Sequence, residues 1–410
     1  MARALIPVVT LLAAASANAQ TKGPWWTDVD TRGGVLRAEV ASPSELSVEL
    51  RAEGGEPITA TSAGAEGPDG KWLHVVEMRT LEANTRYEGR VRGGGIDAAV
   101  SLHTAPEGDA PLSFLVYGDD RTNHAVHRRL VEQMQQEDDP RFVLHTGDYV
   151  EVGGRPGDWS IFFRIASPLL SRVPIYPTLG NHEIYGPGGR MRYDRYLNTP
   201  ERREAWQAWT YGPLRLISLD SNDDWLPGGA QHEWLKAELA DRKGATFVIV
   251  FVHHGPRSSG RHGDQREMAA LGIPELLGDA GVDLVLSGHD HMYERGDYDG
   301  LKYVVTGGGG APLYDVNRQH ASQLSFQVVH HYLRFRVEGD RLSMDAIRLG
   351  GELMERCSFR PSEPWECEQE APIDPGTPPT NYRWVAIPAG LILLGIAYLL
   401  WRRRVKVGPR

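Results

Sequence analysis

The chain has 410 residues, 41% of them hydrophobic, enough to fill a substantial core and to lead one to expect two folded domains. Its formal charge is -10, and no basic block precedes Trp384. That balance argues against a protein that coats nucleic acid or another polyanion.

In chain order, Arg3, the apolar run Ala4 to Ala15 and Ala17-Asn18-Ala19 read as a secretory signal over 1–19, so the chain is expected to be exported. From Gly34 to about Thr104, short alternating runs such as Leu46-Ser47-Val48-Glu49-Leu50 are separated by Gly, Pro and Asp clusters. They predict a small antiparallel sandwich over 20–106. Within it, Leu81 to Tyr87 resembles the tyrosine-corner segment of fibronectin-type domains. Pro106 to Pro111 reads as a linker.

The chain then alternates. Strands are predicted at Leu112 to Tyr117, Phe142 to His145, Ile175 to Leu179, Leu214 to Leu219, Phe247 to Val252, Leu284 to Leu286 and Tyr303 to Thr306. Helices are predicted at His124 to Gln136, Trp159 to Leu170, Gln231 to Asp241 and Gln265 to Leu277. Such alternation implies a layered α/β domain, here over 107–350, and near-continuous apolar strands imply sheets covered on both faces. Past Gly350 the periodicity fades, and 351–383 is expected to be a stalk. Cys357 and Cys367, close together in an exported chain, are expected to form a local disulfide, with two free thiols as the alternative.

Trp384 to Trp401 is apolar and ends against Arg402-Arg403-Arg404. At about 1.5 Å per residue it reaches about 27 Å, against a bilayer core of about 30 Å. A C-terminal transmembrane helix over 384–401 is therefore expected, with a basic cytoplasmic tail over 402–410 and the body anchored outside the cytoplasm.

Five polar clusters each follow an apolar run: Gly118-Asp119, Gly147-Asp148, Gly180-Asn181-His182-Glu183, His253-His254 and Gly288-His289-Asp290-His291. Each falls at the C-terminal end of a predicted strand, where α/β sheets place their sites. Histidines at i and i+2 behind a glycine turn can present both imidazoles to one side.

In this order, with Met292-Tyr293-Glu294-Arg295 after the last histidine, the clusters resemble the calcineurin-like metallophosphoesterases, and among them the purple acid phosphatase branch. The resemblance covers Pro111 to Leu349. It implies a β-sandwich flanked by helices, preceded by a small fibronectin/Ig-like sandwich, and two metal ions drawn from Fe, Mn or Zn. Carried over by position, it makes Asp148 the bridge, Asp119 and His291 the further ligands of the first metal, and Asn181, His253 and His289 those of the second. His253 is preferred to His254 because 253–263 matches the family's spacing to a later His-Gly, although Pro256 lies two residues after His254. His182 is implied to contact the phosphoryl group or orient the nucleophile, a metal-bridging hydroxide. His262, in the later His-Gly, is implied to bind phosphate or protonate the departing alkoxide.

Two positions depart from the pattern. Glu151 stands where purple acid phosphatases have the iron-binding tyrosine, so no tyrosinate band is expected. Arg121 stands where the wider superfamily has a histidine ligand, which leaves Glu151, Asp120 or a water as the fourth ligand of the first metal. As a guanidinium beside that metal, Arg121 can clamp phosphoryl oxygens; a surface ion pair is the alternative. The expected function is thus that of an exported, membrane-anchored binuclear phosphohydrolase acting on phosphomonoesters. The alternatives are a phosphodiesterase or nucleotide hydrolase, or a non-catalytic surface binding protein.

Overall fold

The computed structural model describes residues 21–198, 204–315 and 320–373. At its centre two sheets pack face to face, and the period of two along each strand decides which layer a side chain joins. Phe114, Val116, Phe142 and Leu144 of the first sheet share one buried core with Leu216, Phe247, Ile249 and Leu286 of the second. Phe114 stacks between Phe142 and Phe335 at 4.8 and 4.9 Å. The alternate residues Leu115, Tyr117, Val143 and Ile175 face outward into a core with Leu130, Trp159 and Phe163 of the helices His124–Met134 and Pro156–Leu170. On the other side Ile217, Val250 and Val285 meet Leu235 of Ala230–Leu239 and Leu277 of Ile273–Asp279. Burying each such side chain stabilises the fold by about 1.5–3 kcal/mol, so a continuous apolar strand fits only this helix, sheet, sheet, helix layering.

Within the first sheet Leu112–Tyr117, Pro140–His145 and Ile175–Pro177 are parallel neighbours. Within the second, Leu214–Leu219, Phe247–Val252, Leu284–Ser287 and Leu301–Thr306 are parallel neighbours too. The loops bearing the polar clusters therefore leave strands at their C-terminal ends in both sheets.

The amino-terminal region departs from a free-standing sandwich. Lys22–Asp30 pairs in parallel with Ile175–Pro177 at Thr27↔Ile175 and antiparallel with Gly33–Val40. One eleven-stranded sheet thus runs through both regions, while Ile58–Ser62, Leu46–Ala52, Arg86–Gly93 and Ile96–His103 form the opposing four strands. The fully buried Trp25 stacks on Phe163 at 4.0 Å and donates Nε1–H to the Tyr196 carbonyl at 3.0 Å. Trp26 donates to the Ser171 carbonyl at 3.1 Å. The Tyr87 hydroxyl accepts the Glu82 N–H at 2.9 Å, the bond its tyrosine-corner segment calls for.

Three further expectations are corrected. The helix predicted over Gln265 to Leu277 is two, Arg266–Ala270 and Ile273–Asp279, because Gly272 takes a left-handed φ of 69° and Pro274 opens the second. The stretch 351–383 is not a stalk as far as Ile373. Leu353–Phe359 and Glu366–Gln369 extend the first sheet, with Cys357 and Cys367 opposite one another in register and joined by a disulfide. Thirdly, no helix among the described residues is long and apolar enough to cross a membrane, so the C-terminal transmembrane helix is withdrawn from the fold class. That expectation rested on hydropathy and on the flanking Trp384, Trp401 and Arg402 to Arg404, for a run of about 27 Å against a bilayer core of about 30 Å. The stretches 384–401, 1–19 and 402–410 lie outside the described residues.

Because Trp25 completes the outer core of the first sheet and Trp26 belongs to the core between the sheets, a chain beginning at residue 107 is expected not to fold cooperatively. Near-ultraviolet circular dichroism through a thermal melt checks this, and a sharp transition in the shortened chain would show the two regions to be independent.

Candidate metal centre

Three of the five loops at the rim are shaped by a residue in a strained backbone conformation. Asp119, Asp148 and His289 all adopt left-handed φ values, 58°, 59° and 67°. For residues other than glycine such conformations cost on the order of 1–3 kcal/mol each and persist where the surroundings impose them. The preceding glycines are there for close approach. A Cβ on Gly288 would lie 2.3 Å from Asp119 Oδ2, and one on Gly147, itself at φ 95°, would lie 2.7 Å from His253 Nδ1.

The strained turns bring the clusters together. Donor atoms of Asp119, Asp148 and His291 lie within 4.8 Å of one another, as do those of His253, His254 and His289. Asp148 joins the two sets, since its Oδ1 lies 3.2 Å from His253 Nε2. Asn181 Oδ1 is 3.0 Å from the same nitrogen. The outer nitrogens of two imidazoles are fixed by main-chain carbonyls: His253 Nδ1–H donates to Thr146 at 2.8 Å and His291 Nδ1–H to Pro312 at 2.6 Å. That leaves each Nε2 free of its proton and turned into the site. The Asn181 amide is set in the same way, with Nδ2–H donating to the Tyr185 hydroxyl at 2.8 Å.

The adjacent histidines both reach the centre. His253, fully buried, meets Asp148 and Asn181, whereas His254 bonds Ser221 Oγ through Nδ1 at 2.7 Å and lies 4.1 Å, centroid to centroid, from the His289 ring. Sequence spacing selected one of the pair; the strand end delivers two.

Charge is unbalanced here. Burial, then the charge of Asp148, pushes the Asp119 carboxyl well above the usual range. Burial holds His291 and His254 down to about 4. His253 and His289 are pushed down further, first by burial and then by neighbouring imidazoles. Neutral imidazoles with inward lone pairs, beside carboxylates that resist ionising together, form a site that a cation would relieve on both counts. Carboxylate oxygen, amide oxygen and imidazole nitrogen suit Fe, Mn or Zn.

Arg121 is in the site and not on an outer surface. Its Nε–H donates to Asp148 Oδ2 at 3.2 Å and its Nη1–H to Glu151 Oε2 at 2.9 Å. Glu151 also accepts the Thr122 hydroxyl at 2.5 Å, so its carboxylate is engaged beside the cluster. Asp120 points away from the centre, with its oxygens 2.8 Å from His127 Nε2 and 3.2 Å from His145 Nε2, which removes it as a replacement ligand. Tyr149 also faces away: its hydroxyl donates to the Thr178 carbonyl and its ring stacks on His145 at 3.8 Å. His182 bonds the Glu151 carbonyl through Nδ1 at 2.6 Å and places Nε2 3.8 Å from Asp148 Oδ2. His262 is exposed at a loop tip, its ring 4.2 Å from that of His289.

Sequence reading passed over Glu183 and Tyr314. The buried Glu183 carboxylate accepts the N–H groups of Asp148, Tyr149 and Gly180 at 2.9, 2.9 and 3.0 Å. Its place directly after Asn181-His182 was the available signal. Tyr314 stacks on His291 at 4.1 Å, and nothing in the surrounding sequence marks it.

The description "calcineurin-like phosphoesterase" belongs to the family profile that matches residues 112–293, the segment from the first catalytic strand to just beyond His291. Probable purple acid phosphatase 20 of Arabidopsis thaliana is 30% identical over 265 residues, 58% of this chain and 60% of that protein. Purple acid phosphatase 22 of the same plant is 28% identical over 263 residues, 58% of each chain. This chain therefore spans about three fifths of the length of those relatives. In fold it is similar to the purple acid phosphatase PPD1 from yellow lupin seeds, with a TM-score of 0.72 at 17% identity, covering 83% of this chain and 74% of that one. Together these likenesses show that residues 112–293 match the calcineurin-like phosphoesterase profile and that the chain is similar to purple acid phosphatases.

Proposed function

We propose that the protein is an exported binuclear metal-dependent phosphohydrolase acting on phosphomonoesters. The observation that carries the reading is Asp148, placed between the Asp119–His291 pair and the Asn181–His253–His289 group. In this reading Asp119, Asp148 and His291 hold one ion, and Asp148, Asn181, His253 and His289 hold the other, with His254 within reach. Two such ions supply Lewis acidity toward the phosphoryl oxygens and a nucleophile from water at neutral pH.

The protein's own groups do the rest. Arg121, anchored by Asp148 and Glu151, offers its remaining guanidinium hydrogens to the phosphoryl oxygens as charge grows on them. His182, whose Nδ1–H donates to the Glu151 carbonyl, turns Nε2 toward the same face, where its lone pair can accept a hydrogen from the attacking water and orient it. His262, exposed beside His289, meets the departing alkoxide and can give it a proton. Export is supported by the leader-like 1–19 segment and by the Cys357–Cys367 disulfide, a bond that persists in oxidising compartments.

Hydrolysis of a panel of phosphomonoesters, phosphodiesters and nucleotides by protein reconstituted with Fe, Mn or Zn tests the proposal. A preference for diesters would move the reading to phosphodiester cleavage, and fewer than one ion bound per chain would move it to a binding protein. Asp148→Asn is expected to lower kcat by on the order of a thousandfold with the fold retained; near-normal turnover would end its bridging role. Arg121→Ala is expected to lower kcat by about a hundredfold or more while metal content, read by atomic emission, stays at the wild-type level. Unchanged kinetics would leave Arg121 as an ion-pair partner alone.

A further inference from the structure

The segment Ser258 to Gly263 carries His262 to the rim, and one carboxylate, that of Asp290, holds the stretch next to His262. Asp290 lies between His289 and His291 in sequence and is only 1% exposed. Its Oδ1 accepts the N–H of His262 at 2.8 Å, and its Oδ2 accepts the N–H of Gly263 at 3.1 Å and the Ser258 hydroxyl at 2.5 Å. Gly260 passes so close that a Cβ there would meet Asp290 Cγ at 2.4 Å. Four residues on, Glu294 accepts the N–H and hydroxyl of Ser259 at 2.7 and 2.9 Å. The loop is thereby tied to the same stretch of chain that presents the two rim histidines. His262 itself ends up in van der Waals range of both His289 and Tyr314, with ring centroids 4.2 and 5.3 Å away.

We propose that Asp290 is a positioning residue for His262, coupling the imidazole that meets the leaving group to the histidine pair so that they move as one body. The proposal rests on the reading of His262 given above. Three features support it. The anchor grips the backbone of His262 itself, so its loss displaces that imidazole directly. All three bonds are accepted and none is donated, so a carboxylate serves where an amide would turn an N–H toward at least one donor. The Ser258 bond is buried at both ends and so is costly to lose. A misplacement of about 1 Å at a reacting group can lower a rate by about a hundredfold.

The test uses the metal-loaded protein and the variants Asp290→Asn, His262→Ala and the pair combined. Asp290→Asn is expected to lower kcat/KM by roughly ten- to a hundredfold and to weaken binding of inorganic phosphate measured by calorimetry, with the ion content unchanged. In the His262→Ala background the same change is expected to add less than about twofold. Equal losses with and without His262, or a loss of metal on Asp290→Asn, would overturn the proposal, because the carboxylate would then serve something other than His262. Should Asp290→Asn fail to fold, Ser258→Ala removes one of the three bonds and is expected to show the same non-additivity at smaller size; additivity there overturns it equally. The imidazole resonances of His262 need no turnover and are expected to shift in Asp290→Asn. Unshifted resonances would overturn the positioning itself, whereas wild-type kinetics in His262→Ala with shifted resonances would overturn only the role given to His262.

Discussion

The rim depends on one buried carboxylate that touches no metal site. Glu183 binds the main-chain N–H groups of Asp148, Tyr149 and Gly180, and so fastens the loop after one strand to the loop after its neighbour. Burial and the adjacent Asp148 push its carboxyl well above the usual range. The N–H groups of Asp148, Val150 and Gly180 work against that shift, since they favour the ionised form. This clamp grips the backbone of the left-handed turn at Asp148, and a strained backbone relaxes unless its surroundings over-determine it. The electrostatic cost of burying Glu183 is thus tied to the geometric precision of Asp148.

A similar division of labour runs through the whole centre. Side chains directed at the middle are the exposed-pattern residues of the sequence, acids and histidines after glycines. Those that aim them are main-chain carbonyls and buried acids: Thr146 for His253, Pro312 for His291, and Asp290 for the loop of His262. Because His253 and His291 are each held through the nitrogen that faces away, tautomer and direction are set together for both. The inner nitrogen is then unprotonated at neutral pH, in keeping with imidazoles whose proton affinity burial has lowered.

How far this was legible in the sequence follows from the range of each interaction. The strands Leu112–Tyr117, Leu214–Leu219 and Phe247–Val252 were readable end to end, because a strand buried on both faces is mostly apolar, interrupted here only by Ser113, Arg215 and Ser218. The polar clusters were readable because a ligand at a strand end needs a glycine for close approach, and both are local. By contrast, the helix Gly189–Leu197 went unpredicted: it is rich in arginine, and its buried apolar face is only Tyr193, Tyr196 and Leu197. The edge strands after Gly350 were missed because their partners, 341–348 and each other, supply the order that their own alternation lacks. Asp120 and Asp119 are neighbours with opposite destinations, one toward His127 and His145 and one toward the rim. The left-handed φ at Asp119 separates them, and no one-dimensional pattern encodes it.

The parallel seam between Lys22–Asp30 and Ile175–Pro177 also bears on how the molecule is made. Thr27 leaves the ribosome well ahead of its partner Ile175, and about 150 residues must be synthesised before the seam can close. For that interval Trp25 and Trp26 have no pocket, so the nascent chain carries two bare indoles next to an unpaired edge. Contacts of such sequence separation form slowly and leave sticky intermediates behind. A chaperone that shields the newly emerged segment until the helix bearing Phe163 arrives would therefore act on yield rather than on the final stability of the protein.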